Sequence, residues 1–292
     1  MITPDFIIGG AQKAGTTSLF YILQHHPNIS LPHHEETHFF DIEQNYRKGL
    51  EFYDDLFQGR QKVNTVIGDF TANYLLMDYI PERIYKTIGS YIKILFILRN
   101  PVDRAYSHFL MNVRNQIETL PFKKALDIET KRLSNCTVEE LKYFSYIERG
   151  LYAKQLKNYL AYFKENNIKI VLFEDLFGKE QQQKLAEIQN FIGVSYQSLE
   201  TDFKKFQAGL PRFPFLGKLL TTNNKRLATF RKNMPLPPVL RQYLRKLMLK
   251  KPDNLSNETK RDIFQRYFLE DTKELSSLLQ KDMIEYWKFH NL

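Results

Sequence analysis

The 292-residue chain predicts an α/β fold, a central parallel β-sheet flanked by helices with a helical C-terminal third. Three observations carry this. Short β-branched and aromatic runs alternate with stretches long enough for crossover helices. Several of those runs are apolar on successive residues, as strands covered on both faces must be. The first run ends in a glycine-rich loop that opens a helix. Such alternation is the pattern of a doubly wound sheet, which binds ligands beyond the carboxyl ends of its strands.

In chain order, strands are expected at Phe6–Gly10, Val66–Thr71, Ile92–Arg99 and Lys169–Glu174. Between them, Thr16–His25, Pro81–Gly89, Val102–Asn115 and Leu151–Asn166 read as helices. Pro238–Leu249 and Ser256–Gln280 read as two further helices, the second capped within Asn254–Leu255–Ser256 and carrying Glu258 in its first turn. No repeat or linker divides the chain. The expectation is one domain over 1–292, with an α/β core over 1–200 and a basic helical region over 201–292.

Composition excludes several classes. A chain of this length buries about three-quarters of its surface on folding and needs no covalent staples. The single cysteine, Cys136, rules out an internal disulfide framework and Cys-rich zinc sites, and it fits a reducing compartment. No apolar run reaches the ~18 residues of a membrane helix, and Met1 to Gly10 lacks the regions of a signal peptide. The expectation is a soluble cytoplasmic protein. Its net charge of +9 is concentrated in one region: residues 204–261 hold 15 Lys and Arg against two acids, and the remainder is slightly acidic.

The most informative segment is the loop after the first strand. Gly10-Ala11-Gln12-Lys13-Ala14-Gly15-Thr16-Thr17 keeps the glycine spacing of the phosphate-binding loop G-x-x-x-x-G-K-[ST], with Thr16 where the lysine belongs and Lys13 displaced toward the N-terminus. Glycines admit close backbone approach, the helix N-terminus adds partial positive charge, and Lys13 adds a full one. The loop therefore predicts a phosphate-like anion. The displaced lysine argues against an ordinary ATP or GTP hydrolase.

A second element sits in Ile94-Leu95-Phe96-Ile97-Leu98-Arg99-Asn100-Pro101-Val102-Asp103-Arg104-Ala105-Tyr106-Ser107. A strand ends in arginine, Pro101 suits a first helical turn, and Ser107 follows almost two turns later on a face that could turn back toward Arg99. A guanidinium and a hydroxyl can share one phosphate in this way.

The two segments together resemble the 5′-phosphosulfate loop and the 3′-phosphate motif of sulfotransferases that use 3′-phosphoadenosine 5′-phosphosulfate (PAPS), a family related to the nucleotide kinases. His34-Glu35-Glu36-Thr37-His38-Phe39-Phe40-Asp41 resembles the Lys-Glu-Pro-His-Phe-Phe-Asp segment of the heparan sulfate sulfotransferase branch. Gly68-Asp69-Phe70-Thr71-Ala72-Asn73-Tyr74 is similar to the segment after that branch's second strand, and Gly150-Leu151-Tyr152-Ala153-Lys154-Gln155-Leu156 looks like bacterial members. The resemblance runs from Asp5 to about Gly193.

The resemblance implies sulfuryl transfer from PAPS to an acceptor hydroxyl or amine, without a metal, leaving adenosine 3′,5′-bisphosphate (PAP). Lys13, Ala14, Gly15, Thr16, Thr17 and Ser18 would hold the 5′ side, Arg99 and Ser107 the 3′-phosphate, and Arg212 would close over it. Glu36 is the expected base. Its ordinary pKa near 4.3 is low for that task, so burial against His38, Phe39 and Phe40 would have to raise it. His38 is the alternative base, or it orients Glu36 with Asp41 in support. His25, His26, His33 and His34 read as surface or capping residues.

Two departures bear on the acceptor. The animal heparan-type enzymes carry lysine where this chain has Glu35 and again where it has Phe70. A polyanionic acceptor is therefore disfavoured, and the expectation is a carbohydrate, lipid-linked or other small acceptor. The basic third reads mainly as a solvated face, with peripheral contact to an anionic membrane as a further reading. It carries no nucleic-acid recognition motif. The competing functions are a P-loop ATP-dependent kinase and a non-catalytic basic nucleotide-binding or membrane-binding module.

Overall fold

The computed structural model describes residues 3–57, 64–201, 210–211, 249–250 and 253–289. Strands β1 (Phe6–Gly10), β2 (Ile29–Ser30), β3 (Val66–Phe70), β4 (Lys93–Leu98) and β5 (Ile168–Leu172) form one sheet in the order β2-β3-β1-β4-β5, every pairing parallel. After β1 the chain goes to one side of it, to β2 and β3, then returns to the other side for β4 and β5. Chain order thus reverses at the β1/β4 pair, and the loops leaving those two strands flank the crevice where doubly wound sheets bind ligands.

Burial explains the successive apolar residues. Every residue of β1 is buried, as is Ile94–Leu98 in β4. Pairing of Phe6 with Gly68 shows why β3 carries a glycine: a Cβ at position 68 would meet the Phe6 ring at 2.1 Å. The space goes to aromatic packing, with Phe70 edge-on to both Phe6 and Phe20.

The elements match expectation closely, and the differences have local causes. β5 ends at Leu172, and Phe173–Leu176 turns helical where strand was expected. The helix expected over Leu151–Asn166 runs only from Tyr152 to Leu160. The helix expected over Ser256–Gln280 is two, Asn257–Tyr267 and Leu269–Leu279, broken at Phe268. That residue is fully buried, and its ring fills the space a Cβ on Gly150 would need, at 2.6 Å. Ser256 does cap the first of the pair, accepting from the Thr259 amide. Strand β2, at two residues, was too short to carry a pattern. Pro238–Leu249 lies outside the described residues except at Leu249, which belongs to a short antiparallel pair, Leu210–Pro211 with Leu249–Lys250.

By packing, the chain divides into two compact units: Met1–Arg104 with Ile147–Lys205 and Arg261–Leu292, and Ala105–Tyr146 with Phe206–Lys260. The sheet belongs to the first. Within the second, buried Glu118 accepts from the Thr119 and Leu120 amides, Arg132 and the Tyr146 hydroxyl, so its charge is fully met. No helix among the described residues is long and apolar enough to cross a membrane.

Gly68→Ala should overpack the β1/β3 core and cost about 1–3 kcal/mol. A Phe6→Leu change in the same chain should recover part of that loss, because the two sites share one volume. Denaturant melts of the single and double variants check both statements; strictly additive losses would contradict the steric account.

Candidate active site

The loop leaving β1 is pinned before it reaches the helix. The Ala11 amide donates to Ile97 of β4 at 2.8 Å, and the Ala14 amide closes a turn onto Ala11. Lys13 takes a left-handed backbone at φ 72, uncommon for a residue with a side chain. Gly15, at φ 90, is the residue before helix α1 (Thr16–Leu23), and a Cβ there would meet the Phe177 ring at 2.4 Å. A glycine is required on both counts. No side chain among the described residues caps α1, so its first amides remain available to an anion. Ala14 and Thr16 are buried; Thr17 and Ser18 are half-buried at the helix start.

Arg99 follows β4 directly. Its Nη1 donates to the Lys13 carbonyl at 3.1 Å, while its guanidinium stacks over the Phe173 ring at 4.6 Å. The two anion-binding segments read from the sequence are therefore in hydrogen-bonding contact. Asn100 then starts the next helix, Pro101–Arg114: its Oδ1 accepts from the amides of Val102 and Asp103, and its own amide donates to Glu174 at 3.1 Å. Tyr152 holds the Arg99 carbonyl at 2.9 Å. Ser107 lies later on that helix, half-buried, in the second unit. Arg212 lies outside the described residues.

Glu36 and His38 lie on a strap that hangs from the end of β3. The Thr37 amide donates to Phe70, the His38 amide to the Thr71 hydroxyl, and the Thr37 hydroxyl to Asp69 at 2.7 Å. Asp69 is fully buried and also accepts from Tyr53 and Tyr74. Burial pushes its carboxyl up, to about 6, against three hydrogen bonds that pull it down. His38 itself sits in the left-handed region at φ 51, its carbonyl held by Asn45 at 3.0 Å.

The imidazole bridges two carboxylates. Nε2 lies 3.2 Å from Glu36 and Nδ1 3.1 Å from Asp41. Buried Asn73 continues the chain, donating to Asp41 at 3.3 Å and accepting from buried Arg149 at 2.8 Å. Burial would lower the His38 pKa, but hydrogen bonds and charge from Asp41 and Glu36 overcome it and raise it to about 10. His38 is an imidazolium at neutral pH. Glu36 shows the opposite balance: burial pushes it up, yet His38 and the Ala72 amide, at 2.9 Å, hold it below the ordinary carboxylate value. The expectation that burial raises Glu36 is thereby corrected. Phe39 and Phe40 turn into the core against Tyr46, Tyr53 and Tyr74 and do not surround the carboxylate.

Sequence reasoning missed Asn73, Arg149 and Glu174 as supports. Asn73 and Arg149 are buried and Glu174 is exposed, and only their segments gave a signal. His26, expected at the surface or capping, is buried: its Nε2 donates to the Ser195 carbonyl and its Nδ1 accepts from the Asn28 amide, so it closes the turn before β2. Among the described residues no group of three or more His, Cys, Asp or Glu could hold a metal ion.

Fold and site together define a doubly wound α/β domain with a glycine-rich strand-to-helix loop after β1 and a carboxylate–imidazolium pair on the strap at the end of β3. A family model described as a sulfotransferase domain matches residues 3–208, and the chain belongs to that family. It is 32% identical over 191 residues to heparan sulfate glucosamine 3-O-sulfotransferase 5 of Mus musculus, covering 65% of this chain and 54% of that protein. To heparan sulfate glucosamine 3-O-sulfotransferase 3B1 of Mus musculus it is 28% identical over 244 residues, covering 84% and 59%. The chain thus spans little more than half the length of these curated relatives. The solved sulfotransferase of Alicyclobacillus acidocaldarius matches with a TM-score of 0.68 at 26% identity, over 99% of this chain and 100% of that one.

The folded His38 value lies above 6.5, so its stabilising contribution is complete below pH 6.5 and lost as pH rises toward 10. Histidine NMR titration should find the His38 ring still charged at pH 8, and Asp41→Asn should lower its pKa. A ring that titrates near 6.5 would contradict the assigned network.

Proposed function

We propose that this chain transfers a sulfuryl group from PAPS to a hydroxyl or amine of a carbohydrate, glycolipid or other small acceptor, releasing PAP. The observation that carries the reading is the Arg99–Lys13 contact, which sets two cationic anion-binding segments side by side at the β1/β4 crevice. Arg99 would take the 3′-phosphate, joined by Ser107 and, from outside the described residues, Arg212. The amides at the start of α1, with the Thr16, Thr17 and Ser18 hydroxyls, would take the 5′ side. Lys13 supplies there the positive charge that a kinase draws partly from Mg²⁺.

In the transfer, the acceptor oxygen forms a bond to sulfur as the bond from sulfur to the 5′-phosphate oxygen breaks. The electron pair stays on that phosphate oxygen, against Lys13 and the loop amides, and the acceptor proton goes to Glu36. A carboxylate held below its ordinary pKa is a weak base toward a free hydroxyl. It becomes sufficient once bond formation to sulfur has made the acceptor oxygen strongly acidic, so proton transfer comes late. His38, already protonated, cannot serve as the base at neutral pH. Its role is to fix the Glu36 carboxylate, with Asp41 fixing the imidazolium in turn. The acidic Glu35 and apolar Phe70, where lysine stands in the animal heparan-type relatives, support an acceptor less anionic than a heparan chain. The single cysteine supports a cytoplasmic setting.

A transfer assay with sulfur-labelled PAPS and a panel of sugar, glycolipid and phenolic acceptors tests the reading; no labelled product from any of them would count against it. With an acceptor in hand, Glu36→Gln should lower kcat about 10²- to 10⁴-fold while PAP affinity holds. Arg99→Ala should instead weaken PAP binding roughly 10- to 100-fold, the loss of a charge-assisted hydrogen-bonded contact.

A further inference from the structure

Glu174 is an exposed residue whose carboxyl nevertheless turns inward. Its Oε1 accepts from the Asn100 amide at 3.1 Å, and its Oε2 accepts from the indole N–H of Trp287 at 3.4 Å. Burial raises the carboxyl above its ordinary pKa, while the Asn100 amide, Trp287 and the positive charge of Arg99 pull it down. A carboxylate thus stands within electrostatic reach of the cation that a bound phosphate would need.

Trp287 is the one tryptophan of the chain, and its own position is closely fixed. It is 5% exposed and follows the helical turn Met283–Tyr286, its amide donating to the Met283 carbonyl at 3.1 Å. Asp282 caps that turn, accepting from the Ile284 and Glu285 amides at 3.0 and 2.9 Å. The preceding residue fastens it to Phe173–Leu176: the Tyr286 hydroxyl donates to Asp175. The indole ring also lies 6.2 Å from the ring of Tyr152, whose hydroxyl holds the Arg99 carbonyl. Trp287 therefore adjoins both residues that hold the Arg99–Asn100 segment.

The partners of Arg99 leave its charge in place. Its guanidinium has the Phe173 ring at 4.6 Å and the Lys13 carbonyl at 3.1 Å, an aromatic face and a neutral oxygen. A carboxylate would neutralise it. Glu174 is the residue after Phe173, and once released from the indole its side chain would be free to turn toward the guanidinium. Opposite charges in a partly desolvated setting attract strongly, so that ion pair would compete with an incoming phosphate.

We propose that Trp287 is a positioning residue of the anion site: its indole N–H holds the Glu174 carboxylate away from Arg99 and so keeps the guanidinium available to a phosphate. This rests on the reading of Arg99 as the holder of the nucleotide's 3′-phosphate. An indole suits the task because it donates one hydrogen bond and carries no charge. It orients the carboxylate without adding a cation that would itself attract the phosphate.

The test is calorimetric titration of the full chain with PAP at pH 7.5 for wild type, Trp287→Phe, Glu174→Gln and the double variant, with circular dichroism melts showing each folded at the titration temperature. Trp287→Phe keeps an aromatic ring and loses the N–H. It should raise the dissociation constant roughly 3- to 10-fold, the size of one net hydrogen bond. In the Glu174→Gln background, where no competing charge remains, the same change should have less than about a twofold effect. A packing role alone would lower the melting temperature in both backgrounds without this dependence on Glu174. Independently of any tryptophan variant, the single indole N–H resonance in a proton–nitrogen correlation spectrum should move on Glu174→Gln, reporting the bond directly. Unchanged PAP affinity in folded Trp287→Phe, an equal loss in both backgrounds, or an indole resonance unmoved by Glu174→Gln would overturn the proposal and leave the donor reading intact. Failure of all the proteins, wild type included, to bind PAP would overturn the donor reading, and the proposal with it.

Discussion

The hydrogen bond from the Arg99 guanidinium to the Lys13 carbonyl exists because β1 and β4 are parallel neighbours. Parallel pairing brings the carboxyl ends of both strands to the same edge, so the residues leaving them must meet. The positive charge of Arg99 then holds the loop in its left-handed turn at Lys13, and Tyr152, Glu174 and Phe173 hold Arg99 and Asn100 in turn. Two segments that each carry a cationic residue thus leave the same edge of the sheet in contact with one another.

The strap bearing Glu36 and His38 depends on a different device, a buried carboxylate. Asp69 takes three hydroxyl donors, from Thr37, Tyr53 and Tyr74, and through Thr37 it sets the strap bearing Glu36 and His38. Burying an ionisable group in this way is costly unless its hydrogen bonds are met, and the cost secures placement. A line of groups then runs from buried Arg149 through Asn73 and Asp41 to His38 and Glu36 on the strap, and each neighbour fixes the next. Glu36 is thereby held ionised and oriented, which on the proposed function leaves little reorganisation for the moment of transfer.

Much of this could be read from the residues. β1 was legible to its exact ends because a strand buried on both faces leaves no polar gap, and the loop was legible because glycine positions are set by backbone geometry. The long helix ending near Gln280 was misread, since nothing local marks Phe268 as a break; its ring is drawn out of register by the space over Gly150. The protonation states at the site were likewise beyond the sequence. Whether Glu36 is raised or lowered turns on a contact of about 3 Å between side chains two residues apart, and spacing alone does not say which of desolvation and charge wins. Asn73 and Arg149 act through partners far along the chain, so no short pattern includes them.

The central claim is that the loop and Arg99 bind a 3′-phosphorylated adenosine nucleotide and not ATP with magnesium. Thermal melts of the full chain with each ligand test it most directly. PAP at 100 times its dissociation constant should add about 2.7 kcal/mol of stability and raise the melting temperature, while ATP with Mg²⁺ leaves it nearly unchanged. Stabilisation by ATP with Mg²⁺ and none by PAP would contradict the account.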